Sequence, residues 1–141
     1  MSTLAGDLAR ALGDVEAMQK LYADDISWTL PVTLGRIGGT HIGKDAVIAF
    51  NKISLGPYSK SSGTVAEIHH EFGAGDFSAA RFTTRMTVKA TDEAYENEYA
   101  LIVRGRDGKI TEVHEYLDTL TVMHYEGLRR FLPQIPGVVI S

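Results

Sequence analysis

The sequence predicts an α+β domain in which a strongly curved, mixed but mostly antiparallel sheet wraps over N-terminal helices as a cone and encloses one apolar pocket. Three observations carry this expectation. Helical periodicity dominates the first third of the chain, and strand-like segments separated by turns fill the remainder. Helices and strands are therefore segregated, as in α+β folds, and do not alternate as in a doubly wound parallel sheet. The chain has 141 residues and a hydrophobic share of 44%, which suits one domain with a real core and no internal repeat. Long strands folded over helices leave a concave space between the layers, where small-molecule sites form.

Taken in order, Leu4, Leu8, Leu12, Val15, Met18 and Leu21 or Tyr22 recur at helical spacing between Thr3 and Ala23. Gly13-Asp14 breaks the run and Asp14 is a good N-cap, so two short helices meet at a corner. Ile26 to Leu30 alternates as a strand, and Pro31 ends it. Val32 to Gly43 holds four glycines and reads as a loop or an irregular hairpin. Lys44 to Ile53 is a third helix with Ala46, Val47, Ile48 and Phe50 as its apolar positions, and a polar loop follows up to Gly63. Strands are expected over Thr64 to Phe72, Phe77 to Ala90, Tyr95 to Arg104 and Ile110 to Met123. The last two are joined by a hairpin carrying the Asp107-Gly108 signal. His124 to Leu132 reads as a terminal helix stopped by Pro133, and Ile135 to Ser141 as a tail. The extension over 122–141 either caps the pocket or packs on a second subunit.

Charge and composition exclude several functions. A net charge of −4 and a pI near 5.7, with Arg129-Arg130 as the one basic doublet, argue against nucleic acid. The absence of cysteine removes disulfides, thiolate chemistry and Cys-bound zinc. No run approaches the ~18 apolar residues of a membrane span, and the amphipathic Met1 to Gly13 lacks a signal-peptide core, so the expected setting is the cytoplasm. The five histidines show no ligand spacing: His69 and His70 are adjacent and would face opposite ways on a strand, so no metal is expected.

Three stretches carry a resemblance. They are Gly13-Asp14 through Leu21-Tyr22-Ala23-Asp24-Asp25; Trp28-Thr29-Leu30-Pro31 with Gly43-Lys44-Asp45-Ala46 and Phe50; and Tyr95-Glu96-Asn97-Glu98-Tyr99 with Asp107-Gly108-Lys109-Ile110 and Glu115-Tyr116-Leu117-Asp118. In this order and spacing, up to about Thr121, the chain resembles the SnoaL-like and ketosteroid-isomerase-like branch of the nuclear-transport-factor-2-like superfamily. The resemblance implies the cone fold and a homodimer. It leaves the chemistry open, because fold alone does not fix function. Against ketosteroid isomerase, the base position before Pro31 is Leu30, the tyrosine donor falls near Gly6, and the protonated aspartate falls near Tyr99 or Ala100. A leucine cannot move a proton, so steroid isomerisation by that route is rejected. Against limonene epoxide hydrolase, the water-activating carboxylate aligns with Glu115, the Arg and second Asp fall near Arg81 and Thr83, and the water-holding Tyr and Asn fall at Trp28 and Leu30. One carboxylate survives and the water cradle does not. Trp28-x-x-Pro31 and Asn97-x-Tyr99 look more like the SnoaL-like polyketide cyclases, which move a proton beside a carbonyl with a carboxylate in an apolar pocket.

Strand parity then assigns faces. Val113, Glu115 and Leu117 share one face of the last strand, and the resemblance places that face inward. Tyr95, Asn97, Tyr99, Leu101 and Val103 share a face of the preceding strand, opposite the solvated Glu96, Glu98 and Arg104. On Phe77 to Ala90 the apolar face of Phe82, Met86 and Val88 is taken as inward, which exposes Arg81. His70 shares its parity with Ala66, Ile68 and Phe72, which makes it a candidate second acid–base group. Glu115 is the candidate base, with Tyr99 and Asn97 polarising a substrate oxygen. Trp28, Leu30, Phe50, Phe82 and Leu117 are the candidate substrate contacts. The expected activity is cofactor-independent proton transfer (isomerase, cyclase or dehydratase) on a small apolar carbonyl compound. The alternatives are a non-catalytic module that binds a hydrophobic ligand, a dimerisation or assembly domain, and an epoxide-hydrolase-like enzyme.

Overall fold

The computed structural model describes residues 2–60 and 65–125. The helices are α1 (Leu4–Ala11), α2 (Val15–Gln19), α3 (Lys44–Leu55) and α4 (Thr119–Tyr125). The strands are β1 (Tyr22–Leu30), β2 (Gly39–Ile42), β3 (Tyr58–Lys60), β4 (Ala66–Ala74), β5 (Phe77–Val88), β6 (Ala94–Arg106) and β7 (Lys109–Leu117). They form one seven-stranded sheet in the order β2-β1-β7-β6-β5-β3, with β4 also paired to β5. The β1–β7 pair is parallel and the others are antiparallel. The sheet is curved and does not close, so the architecture matches the cone expected from the sequence. Three register shifts, between Tyr22 and Ser27, Ile68 and His70, and Arg104 and Gly105, fall where ladders bend.

The N-terminal helices form where their caps predict. Thr3 accepts from the Gly6 N–H to start α1, and Asp14 accepts from Ala17 to start α2. Ala5, Leu8 and Ala9 of α1 are sealed against the sheet. A charged clamp holds the helix there. The Glu71 carboxylate on β4 accepts from the Thr3 N–H at 3.0 Å and the Thr3 hydroxyl at 2.8 Å, and pairs with Arg10 at 2.5 Å. Gly6 lies against this carboxylate so closely that any Cβ would collide with it. The glycine-rich stretch after Pro31 is a 3-10 turn (Val32–Ile37) and then β2, antiparallel to β1, so the irregular-hairpin reading is the right one. The Asp107-Gly108 hairpin is also as expected. Both residues have positive φ, 53° and 76°, as a type I′ turn requires.

Several boundaries differ from the expectation. β1 begins at Tyr22, four residues before the expected Ile26, so Tyr22 and Ala23, read as the end of the helical run, are strand. Tyr58–Lys60, read as loop, is a short strand paired to β5. The last strand stops at Leu117 rather than Met123, because Asp118 accepts from the Thr121 N–H and starts α4 early. The expected terminal helix over His124 to Leu132 and the tail after it lie outside the described residues beyond Tyr125. On β5, Phe82, Met86 and Val88 are buried and Arg81 is exposed, as the apolar alternation requires. On β4 the parity fails. His69 is an extra residue between the Ile68↔Phe82 and His70↔Arg81 pairs. A one-residue slip turns every later side chain over, so Glu71 points in while His70 and Phe72 point out.

Candidate functional site

Between the inner face of the sheet, α3 and α4 lies a narrow, partly open cavity. Its walls are almost wholly apolar and aromatic, the composition of a small-molecule pocket. Trp28, Leu30, Phe50, Tyr99, Glu115 and Leu117 all line it. These are six of the nine residues the sequence singled out.

Glu115 stands at the centre because of the parallel pairing of β1 and β7. Trp28 lies opposite Val113 in that ladder. Alternate residues share a face, so Glu115 projects beside the Trp28 indole, and Trp28 Nε1 donates to Glu115 Oε1 at 2.9 Å. Glu115 as a whole residue is 8% exposed. Nothing else among the described residues donates to it. Burial pushes its pKa up to about 7, against the opposing effect of the Trp28 N–H. Near neutral pH such a group both takes and returns a proton. The indole is itself packed by Phe50, with centroids 5.5 Å apart, and edge-on by Tyr22 at 6.2 Å. His41 stacks on the far side of Phe50 at 4.3 Å and is tied to the Ile37 carbonyl oxygen at 2.8 Å.

A second group descends from the β6 alternation. Asn97 Nδ2 donates to Tyr95 Oη at 2.9 Å, and Tyr95 Oη and Tyr99 Oη are 2.8 Å apart. Burial, reinforced by the neighbouring Tyr95 and Glu115, pushes the Tyr99 phenol far up. Tyr99 therefore stays protonated and serves as a hydrogen-bond donor.

Three expected site residues are placed elsewhere. Asn97 does not line the cavity. Its amide is used up by Tyr95, by the Asp118 carbonyl oxygen at 3.0 Å and by the Glu98 N–H at 2.8 Å, so it positions Tyr95 and the start of α4. Phe82 is fully buried behind Tyr99, stacked on it at 5.5 Å and 14°, and forms core rather than wall. His70 is on the outer face, exposed, where its Nδ1 accepts from Arg81 Nε at 3.3 Å. The His69 bulge puts it there. Arg81 and Thr83 are outside too. Arg81 pairs with Glu98, and Thr83 bonds Glu98 and His69, so the epoxide-hydrolase charge set is not assembled in the cavity.

The sequence reading missed Asn51. It lines the cavity from α3, is 1% exposed, and accepts from Tyr22 Oη at 2.6 Å. The signal was available: Asn51 continues the stripe of Val47 and Phe50, where another apolar residue would be expected. Among the described residues, no three His, Cys, Asp or Glu are placed to hold a metal, and no helix is long and apolar enough to cross a membrane.

Comparisons with known proteins bear on the family and the fold. A family model, the SnoaL-like domain, matches residues 7–113. No functionally curated protein matches the chain in sequence. Solved structures do. A Catenulispora acidiphila protein with a ketosteroid isomerase-like fold, crystallised with trimethylamine, is 18% identical with a TM-score of 0.71 over 90% of this chain and 95% of its own. A candidate isomerase from Bacillus subtilis is 22% identical with a TM-score of 0.70, over 84% and 86%. TerC, co-crystallised with polyporic acid, is 18% identical with a TM-score of 0.70, over 84% and 92%. At these identities the structures speak for the fold alone, whereas the family model covers most of the sequence. The chain belongs to the SnoaL-like domain family and carries its nuclear-transport-factor-2-like, ketosteroid isomerase-like cone.

Proposed function

We propose that the protein is a cofactor-independent enzyme that moves a proton at a carbon beside a carbonyl group of a small apolar molecule. The observation that carries this reading is Glu115: the one carboxyl group lining the cavity, held by one N–H donor. Glu115 takes the proton from carbon, and the C–H electron pair moves into the carbonyl to leave an enolate oxygen. Tyr99 donates to that oxygen. A phenol has one proton, and Asn97 already donates to Tyr95. Either phenol can donate across the Tyr95–Tyr99 pair; in the arrangement where Tyr95 donates, the Tyr99 proton is left for the substrate. Reprotonation by Glu115 at the same or a conjugated carbon completes an isomerisation; attack of the enolate carbon on a second carbonyl carbon, with the proton on Glu115 passing to the alkoxide oxygen so formed, would complete a cyclisation.

Polyporic acid, present with TerC, is the kind of flat oxygen-bearing molecule such an aromatic cavity would accept. The epoxide-hydrolase alternative loses support because Arg81 is outside. The same reading takes a second copy of the chain as partner across the outer sheet face. There Phe72 and Ile102 flank Ala79 in one cross-strand row, and Tyr116 lies opposite Ala100 in the next; all three large side chains are exposed.

The test is deuterium exchange into 2-tetralone in D2O, followed by NMR. Wild type should accelerate exchange at the carbon beside the carbonyl and Glu115→Gln should not. Equal exchange with and without wild-type protein would convert the reading to a non-catalytic binding module.

A further inference from the structure

The helical wall of the cavity carries a polar group that the proton-transfer reading does not use. Asn51 Oδ1 accepts from Tyr22 Oη at 2.6 Å, yet nothing among the described residues accepts from Asn51 Nδ2. The assignment of the amide follows from Tyr22. That phenol is buried and has no other acceptor among the described residues, so its proton goes to Oδ1, and Nδ2 is left as the donor of a side chain that lines the cavity. The neighbouring Ser54 hydroxyl is occupied by the Asn51 main-chain carbonyl oxygen at 3.3 Å. Asn51 is therefore a donor on α3 with no acceptor among the described residues, on the wall of the cavity that Tyr99 and Glu115 also line. The space between is walled by aromatic rings, including Trp28, Phe50 and Tyr58, which favour a flat apolar body.

We propose that Asn51 is the pocket's second oxygen anchor, so that the ligand is a flat apolar molecule carrying two carbonyl-type acceptors, one meeting Tyr99 and the other meeting Asn51 Nδ2. The proposal rests on the same cavity as the proton-transfer reading but not on its chemistry, because it is tested by binding without turnover. Asn51 acts here as a specificity-determining residue. It sets which molecules stay in the cavity and leaves the proton to Glu115.

The probes are 1-tetralone and 1,4-naphthoquinone, which share a two-ring skeleton and carry one and two carbonyl oxygens. The protein has no cysteine, so the quinone meets no thiol. Calorimetry on wild type should show the quinone binding about fivefold tighter, the worth of one neutral hydrogen bond. Replacing Asn51→Leu together with Tyr22→Phe removes the anchor without leaving the phenol unpaired. The preference should fall away while 1-tetralone affinity holds. In 15N-labelled wild type the Asn51 side-chain amide signals should move with the quinone and stay with 1-tetralone, a readout that does not depend on the variant folding. Equal affinities in wild type, no binding of either probe, a preference that survives the double substitution, or unmoved Asn51 signals would each overturn the proposal. Failure of Glu115→Gln to abolish exchange would overturn the proton-transfer reading alone.

Discussion

At the residue scale, Glu115 gains its character from its surroundings. A carboxyl with one donor in an apolar cavity is held neutral to about pH 7, where an exposed one ionises near 4.5. The linkage has a definite sign. The folded protein holds the proton more tightly than the unfolded chain, so this contribution is full below the unfolded value and is lost as pH rises from 4.5 towards about 7. That gap is worth about 3 kcal/mol for a buried group. Glu115→Gln keeps the shape without the charge, so the variant should melt several degrees above wild type at pH 8 and close to it at pH 4.5. Thermal unfolding at both pH values checks this, and a constant difference would contradict it. Trp28 supplies the opposing interaction. Trp28→Phe should therefore raise the Glu115 pKa further and move the pH midpoint of carbon-acid exchange upward, read from rate against pH.

At the element scale, the legible and illegible parts of the sequence divide by mechanism. Period-2 alternation on β6 and β7 was enough to bring Tyr99, Glu115 and Leu117 to one cavity, because those strands keep their parity from Tyr95 to Val103 and from Val113 to Leu117. The same logic failed on β4, where one extra residue at His69 carried His70 and Phe72 to the opposite face. Bulges leave no composition signal in His69-His70. Asn97 was placed on the correct face but given the wrong role, since facing inward does not say whether a neighbour already occupies the amide. Asn51 was overlooked because a polar residue on a helix is ordinarily solvated. The α1 clamp was also invisible, joining residues 68 apart in sequence. It carries its own prediction. Burial pushes the Glu71 carboxyl up, but the Thr3 and Arg10 donors outweigh it and hold it below its ordinary range. Its contribution is thus present at neutral pH and is lost as pH falls through that depressed value. Glu71→Ala should cost about 1–2 kcal/mol at pH 7, the size of a lost cap, and less in strong acid, as denaturant unfolding at two pH values would show.

At the scale of the whole molecule, the sheet has two faces with different work. Its concave face is largely apolar, with Glu115 at the cavity and Glu71 clamping α1. Its convex face is laced by exposed ion pairs, Arg81 with Glu98 and Arg85 with Glu67 and Glu96, and such pairs add little stability. The apolar side chains among them, Phe72, Ile102 and Tyr116, are the part that a second copy would cover. Ile102→Glu should lower the molar mass measured by light scattering from dimer to monomer while leaving the concave site intact; an unchanged mass would remove that face from the interface. The order of helices and strands, the turn chemistry and strand parity made the cone readable in advance. The curvature that turns a sheet into a pocket depends on bulges, and these had to be seen.

The proposed proton transfer requires Glu115 to be a buried base. A pH titration of its side-chain carboxyl by 13C-resolved NMR, with Glu115→Gln assigning the signal, reads this without a substrate. A buried carboxyl with one donor should show an apparent pKa near 7. A value at or below the ordinary carboxyl range near 4.5 would mean a solvated or fully paired carboxylate, and the proton-transfer function would fall with it.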